Sequence, residues 1–330
     1  EGEMYEGNMF VMSREEEWEA RKILAERDVL TTDLVKDTDK IGLVGEEINK
    51  YAWYLAITSR ITNKPFHILS LGQSGVGKSY GQEMMLNCVP DEDVKRYSRM
   101  TPQAFYYYGR NGLKHKIVAI DEIEGMIDTM YALRTFLSNG YLTNASPKTD
   151  PKTGQMATID RRVDGPIVVF LTSTSLDLID YETKSRFLVT GSDETRTQTK
   201  NILEKQYDTA AKPREDINRE YIRIIRKYKS IQKVLLPIEV RMPLSWKKEI
   251  KPHGERLGAR RMNMTYMAVI AAITTHRQLL YEKQKGKNGK PYLYMQKGDV
   301  ELANRICKVL FENTIGDLLP PVKTLLLAVR

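Results

Sequence analysis

Cysteine and histidine are scarce in this sequence. Of 330 residues only two are cysteine, Cys88 and Cys307, and four are histidine. Neither cysteine has a neighbour at metal-ligand spacing, so no zinc site can be read. Two buried thiols in a cytoplasmic protein are expected rather than a disulfide. His67, His115, His253 and His276 are scattered, and no Ser-His-Asp or Cys-His arrangement accompanies them. No apolar run approaches the roughly 20 residues that span a bilayer, so no membrane partner is expected. No charged-then-apolar leader opens the chain. Because it starts at Glu1 and stops inside the apolar run Leu325 to Arg330, a segment of a longer protein is expected. Internal repeats and low-complexity tracts are also lacking.

What is present is enough for a packed core. Hydrophobic residues make up 41% and charged residues 28%, over a length that suits one large domain or two ordinary ones. The net charge is +8, from 51 basic and 43 acidic residues. That balance permits a polyanionic partner such as nucleic acid without establishing one.

Short apolar segments alternate with amphipathic ones. Phe66 to Leu71, Lys116 to Ile120 and Pro166 to Thr172 read as buried strands, and Val94 to Ser98 as a further short one. Helices are expected over Ser13 to Asp28, Leu43 to Arg60, from about Lys78, and over Thr129 to Ser138. Such alternation implies a parallel sheet with helices on both faces, an α/β fold. Tyr141 to Ser146 and Met156 to Arg162 flank a turn-rich stretch and read as a long β-hairpin. After about Ser192 strand signals nearly stop. Asn201 to Lys229, Arg260 to Lys283 and Asp299 to Asn313 read as helices, and Lys285 to Pro291 as a loop. The expected division is a helical lead-in over 1–62, a nucleotide-binding core over 63–192 with the hairpin at 141–162, and a helical lid and extension over 193–330.

Two motifs carry chemistry. Gly72-Gln73-Ser74-Gly75-Val76-Gly77-Lys78-Ser79 fits G-x-x-x-x-G-K-[ST] at every fixed position, between a strand and a helix. The glycines let successive backbone N–H groups face a phosphate, and the helix N-terminus adds partial positive charge. Lys78 would reach the β- and γ-phosphates, the Ser79 hydroxyl would bind Mg²⁺, and Tyr80 follows within reach of the nucleotide. Later, the strand Lys116 to Ile120 ends in Asp121-Glu122. Asp121 would hold the Mg²⁺ shell and Glu122 would orient the attacking water of ATP hydrolysis.

With these motifs in place the pattern resembles the AAA+ ATPases. Val168 to Thr174 stands where that family has its sensor-1 residue, offering Thr172, Ser173 or Thr174 instead of the usual Asn. Ser185-Arg186-Phe187 resembles the arginine finger of minichromosome-maintenance helicases and their relatives, which implies that Arg186 enters a neighbouring subunit's site. Gly258 to Asn263 resembles the sensor-2 region, with Arg261 or Arg260 as its arginine. The hairpin resembles the pre-sensor-1 hairpin of helicase-type rings, which implies contact between Lys148 and Lys152 and single-stranded DNA in a central channel. Further stretches (Gly42 to Glu47, Thr58 to Arg60, Ser98 to Thr101 and Asp193 to Thr195) are similar to the ATPase part of primase-helicase-type proteins of plasmids, phages and integrated elements. The resemblance implies ATP and Mg²⁺ as ligands, a ring, commonly of six, and DNA and replication proteins such as a primase as partners. Two activities stay open: a replicative helicase or translocase, and an initiator or loader that does not unwind. Tyr106-Tyr107-Tyr108 is expected as a partly buried face, with stacking on bases as the alternative.

Overall fold

A computed structural model describes residues 9–72, 78–121, 126–149, 156–174, 179–248 and 259–316. The first helix, α1 (Arg14–Glu26), is opened by a capping box. The Ser13 hydroxyl accepts the Glu16 N–H at 3.1 Å, and the Glu16 carboxylate accepts the Ser13 N–H at 2.8 Å. A π-helical turn over Leu30–Leu34 leads into α2 (Val35–Lys40). The next helix, α3 (Glu47–Ser59), starts later than its apolar pattern predicts. Gly42, Gly45 and Glu46 all take positive φ, which no continuing helix allows.

The core follows as β1 (His67–Leu71), α4 (Lys78–Leu86), β2 (Val94–Tyr97), a 3₁₀ segment at Pro102–Tyr108, β3 (Lys116–Ile120) and α5 (Ile127–Asn139). Gly140, at φ 76°, ends α5 by donating its N–H to the Phe136 carbonyl. The hairpin strands are β4 (Tyr141–Thr149) and β5 (Met156–Asp164), followed by β6 (Ile167–Ser173), a short α6 (Tyr181–Lys184) and β7 (Phe187–Gly191). Five strands form one parallel sheet in the order β2-β3-β6-β1-β7. Strand periodicity divides its apolar residues between two layers. Ile68, Ile117, Val168, Phe170 and Leu188 face α3 and the C-terminal helices, while Leu69, Val118, Val169, Leu171 and Val189 face α5 and the hairpin root. The α/β reading with helices on both faces therefore holds.

Beyond β7 lie α7 (Arg196–Ala210), α8 (Arg214–Val234), β8 (Glu239–Arg241), α9 (Ala259–His276), β9 (Gln284–Lys285), β10 (Pro291–Tyr294) and α10 (Lys297–Gly316). This region is helical as expected, with two differences. The single helix expected over Asn201 to Lys229 is two, parted at Pro213, which has no N–H to continue the ladder. Lys285 to Pro291 is the turn of a small three-stranded sheet, β8-β10-β9. Its strands are two to four residues long and largely polar, too short to show a period.

Buried charges tie the chain's ends together. Arg277 holds Asp28 at 2.6 Å and Asp299 at 2.7 Å. Lys227 holds Asp33 at 2.5 Å and Asp37 at 2.8 Å. Cys88 and Cys307 are free, buried thiols, each pushed up to about 12 by burial. No helix of the described residues is long and apolar enough to cross a membrane.

Two histidines are buried and neutral. Burial lowers His276 to about 4, with Asp28 opposing and Arg277 reinforcing the shift, and lowers His67 to about 3. The His67 Nδ1 accepts the Val169 N–H at 3.3 Å, and among the described residues the His276 Nε2 has no partner. An unfolded imidazole takes up its proton near pH 6.5, while the folded ones refuse it until much lower pH. Stability should therefore be full above pH 6.5 and fall as pH falls towards 4. Each histidine should cost about 2 kcal/mol between pH 7 and pH 5. Urea midpoints across that range measure the loss. His276→Phe should remove roughly half of it, and an unchanged pH dependence in that variant would refute the assignment.

Candidate functional site

Parallel strands bring the motif residues to one edge of the sheet. β1 ends at Leu71 and Gly72, where the phosphate-loop motif begins. Gln73, Ser74, Gly75, Val76, Gly77, the Lys78 side chain and Glu122 lie outside the described residues. Ser79 and Tyr80 are exposed in the first turn of α4. The registers Ile120↔Leu171 and Leu69↔Leu171 set the last residue of β3 level with Leu69, two residues before the end of β1, with β6 alone between them. Asp121 thus stands exposed two strand spacings, roughly 10 Å, to the side of β1.

The backbone of Asp121 is fixed from both sides. Its N–H donates to the Tyr97 carbonyl at 3.0 Å, and its carbonyl accepts the Thr172 hydroxyl. Thr172 is thereby committed inside the sheet, and Ser173 is buried opposite Leu71. Thr174 is the exposed hydroxyl of the three, one residue past the strand and level with Gly72. Hydroxyl and carboxylate oxygens at one edge suit a hard divalent cation, so Ser79 and Asp121 fit Mg²⁺.

Beneath this edge lies a polar cluster. The Trp53 indole donates to Ser70 at 3.3 Å and to Thr190 at 3.2 Å, and the Ser70 and Thr190 hydroxyls lie 3.0 Å apart. Gly81 lets α4 approach α3, since a Cβ there would lie 2.8 Å from the Trp53 ring. Beside it a cavity of about 920 Å³ runs between the loop Ile41–Val44, Tyr80 and the helix α7. Its walls are clamped by two bonds between distant stretches. Gln198 donates to the Val44 carbonyl at 2.7 Å, and the Glu46 carboxylate accepts the Asp193 N–H at 2.7 Å. Desolvation outweighs that bond and raises the Glu46 pKa.

At the other edge stand the arginines. Phe187 pairs in register with His67, so Arg186 precedes the first residue of β7 at the sheet's N-terminal edge. The length of β1 separates it from the phosphate loop, roughly 13 Å for four residue steps. Arg186 donates from Nε to the Ser138 hydroxyl at 3.0 Å and meets the Glu182 carboxylate at 3.1 Å. Arg261, from the first turn of α9, donates to the Ser185 hydroxyl. The structure therefore does not bring Arg261 to the phosphate loop of its own chain; it sets it beside Arg186, while Arg260 is exposed. Both Arg186 and Arg261 line a second cavity of about 910 Å³ with Met264, Pro166 and Val240. Lys148 has its side chain, and Lys152 its whole residue, outside the described residues.

Residues 13–233 match the family model of the MTBMA_p00010 P-loop domain. The chain belongs to this family. No curated protein matches the sequence. The match makes the chain a P-loop nucleoside-triphosphatase domain and spans both motifs, the hairpin and Arg186; α9, with Arg261, lies beyond it. Several residues of this P-loop domain were not legible as site residues. Trp53, Thr190 and Gln198 are ordinary members of apolar or polar patterns, and only folding sets Trp53 and Thr190 against Ser70 and Gln198 against Val44. Glu46 and Asp193 did stand in stretches singled out by resemblance, but their contact spans 147 positions of sequence.

Proposed function

We propose that this P-loop domain is the ATPase of a ring-forming AAA+ motor that acts on single-stranded DNA, as a replicative helicase or translocase of a mobile element. One observation carries the reading: the arginines that phosphoryl transfer would use stand at the sheet edge opposite the phosphate loop. Neither Arg186 nor Arg261 can serve its own chain's nucleotide, whereas a neighbouring copy offers one. In a ring, here of six, each chain's N-terminal sheet edge would face the next chain's phosphate loop.

Within one site, the loop from Gly72 to Lys78 cradles the phosphates, and Lys78 places its charge at the β- and γ-oxygens. Ser79 and Asp121 would hold Mg²⁺, which when bound would supply positive charge to offset that of the phosphates. Glu122 orients the attacking water and takes its proton. Thr174 donates to the γ-phosphate or the water. The base and ribose enter the cavity beside Tyr80 and Ile41–Val44, whose clamp by Gln198 couples the helix α7 to occupancy. The hairpin β4–β5, inserted in sequence between the acidic strand and the Thr174 strand, is rooted at the arginine edge, where the Gly165 N–H donates to the Gly140 carbonyl, and would carry Lys148 and Lys152 near its tip to DNA.

Hydrolysis measured per chain tests this. It should rise with protein concentration, because sites are completed by neighbours, and rise again with single-stranded DNA. A rate per chain independent of both would refute the shared-site motor. DNA-stimulated hydrolysis without strand separation would instead favour an initiator or loader.

A further inference from the structure

The three consecutive tyrosines of the 3₁₀ segment Pro102–Tyr108 do not share one environment. Phe105 is wholly buried, and Tyr106 and Tyr108 pack partly against the same core layer. Tyr107, between them, is 75% exposed. The Tyr106 hydroxyl reaches the Thr143 carbonyl of β4 at 3.5 Å, which fastens the segment to the hairpin root. Tyr107 is thus an aromatic face held outward by anchored neighbours on both sides.

The hairpin supplies a cation to this ring. The Arg161 guanidinium lies 4.8 Å from the Tyr107 ring centre. Successive strand residues point to opposite faces, so Arg161 shares its face with Ile159 and Val163, while Asp160, Arg162 and Asp164 share the other. Directly across the ladder Arg161 meets Asn144. Arg162, by contrast, is 2.6 Å from Asp164, which also holds Arg110 at 2.9 Å. Both adjacent arginines lie over a ring, Arg162 over Tyr141 at 4.3 Å, but among the described residues only Arg162 is also matched by a carboxylate.

We propose that Tyr107 and Arg161 form a platform for an unpaired nucleic-acid strand, the Tyr107 ring stacking on a base and Arg161 binding the adjoining phosphate. The proposal rests on the reading of the chain as a nucleic-acid motor and names a grip at the hairpin root, separate from the lysines at its tip. Stacking suits any base, since each has a π-face, and the guanidinium both extends the flat surface and offers donors to a phosphate. Buried anchoring of the segment removes the ordering cost that a mobile tyrosine would carry on binding.

The test crosses protein variants with strand variants. Binding of a labelled dT20 strand, an rU20 strand and a dT20 strand with internal abasic residues is measured by anisotropy in about 50 mM salt, the low-salt regime in which phosphate contacts are strong. The native protein should prefer dT20 to the abasic strand by about 5-fold or more. Tyr107→Ala should lose that preference and Tyr107→Phe should keep it. Arg161→Ala should weaken binding to both strands and flatten the salt slope by about 0.7. Parallel results on rU20 extend the platform to RNA strands; results confined to dT20 restrict it to DNA. If Tyr107→Ala discriminates as the native protein does, the platform is refuted while strand binding stands. If the native protein binds none of the three strands, the motor reading fails and the platform with it.

Discussion

Replacing Arg186 by alanine is expected to leave ATP affinity of an isolated chain nearly intact and to lower steady-state hydrolysis by about 10³–10⁵-fold. The expectation follows from position. Arg186 precedes β7, in register with the start of β1, so its own phosphate loop lies the length of a strand away. Its present bonds are to Ser138 and Glu182, near the surface. Losing these bonds costs about 1–3 kcal/mol of stability, and a thermal melt of the variant separates unfolding from lost turnover. Arg186→Lys should recover little, because an ammonium lacks the planar fork that matches phosphoryl oxygens. Mixing supplies the decisive measurement. Chains carrying Glu122→Gln and chains carrying Arg186→Ala are each inactive alone, but together they form composite sites with both residues intact. Recovery of hydrolysis on mixing supports a site shared between chains; none, with co-assembly confirmed, refutes it.

Arg277→Ala should destabilise the fold by about 3–5 kcal/mol, the largest loss expected from any single charge in the described residues. Burial works against the Arg277 charge, but the bonds to Asp28 and Asp299 outweigh it, and its pKa is raised. Asp28 shows the counterpart: burial raises it, the bonds to Arg277 and Thr31 with the nearby Arg277 charge together more than offset that, and the net shift is downward. Without the guanidinium, Asp299 stays fully buried with only neutral donors, the Thr274 hydroxyl at 2.8 Å, the Tyr281 hydroxyl at 2.7 Å and the Gln296 N–H at 2.9 Å. A buried carboxylate without a counter-charge is the source of the cost. Denaturant unfolding at pH 7 measures it. Adding Asp299→Asn to Arg277→Ala should return part of the stability, since the orphaned charge is gone. A cost under about 1 kcal/mol for Arg277→Ala would mean that water reaches the pair.

How much could be read beforehand depended on whether a feature was local. The buried strands at 67–71, 116–120 and 167–173 were legible because parallel strands covered on both faces read as short continuous apolar runs. The phosphate loop was legible because its glycines, Lys78 and Ser79 act within eight consecutive residues. The small sheet β8-β10-β9 was not, since β8 pairs with β10 across some fifty positions and each strand is too short for a period. Arg261 was read as an arginine near the γ-phosphate from its sequence neighbourhood alone. Its place beside Ser185 and Arg186 depends on how α9 packs, which no local pattern encodes. The three tyrosines were read as one face, whereas a 3₁₀ turn between buried Phe105 and the hairpin turns the middle ring outward.

The sequence by itself determined that this chain folds as an α/β P-loop domain with a strand-end carboxylate pair, because strand, loop and helix signals act over short spans where backbone conformation and hydrophobic period decide. Only the tertiary structure decided which residues share a site. Parallel register set Thr174 level with Gly72 and Asp121 level with Ser70, two positions before it, and the same register carried Arg186 to the opposite edge. Long-range packing of α9 placed Arg261 there too, and the bond from Gln198 of α7 to Val44 closed the cavity between them. These are contacts between segments far apart in the chain, and their geometry comes from the buried core that all of them share.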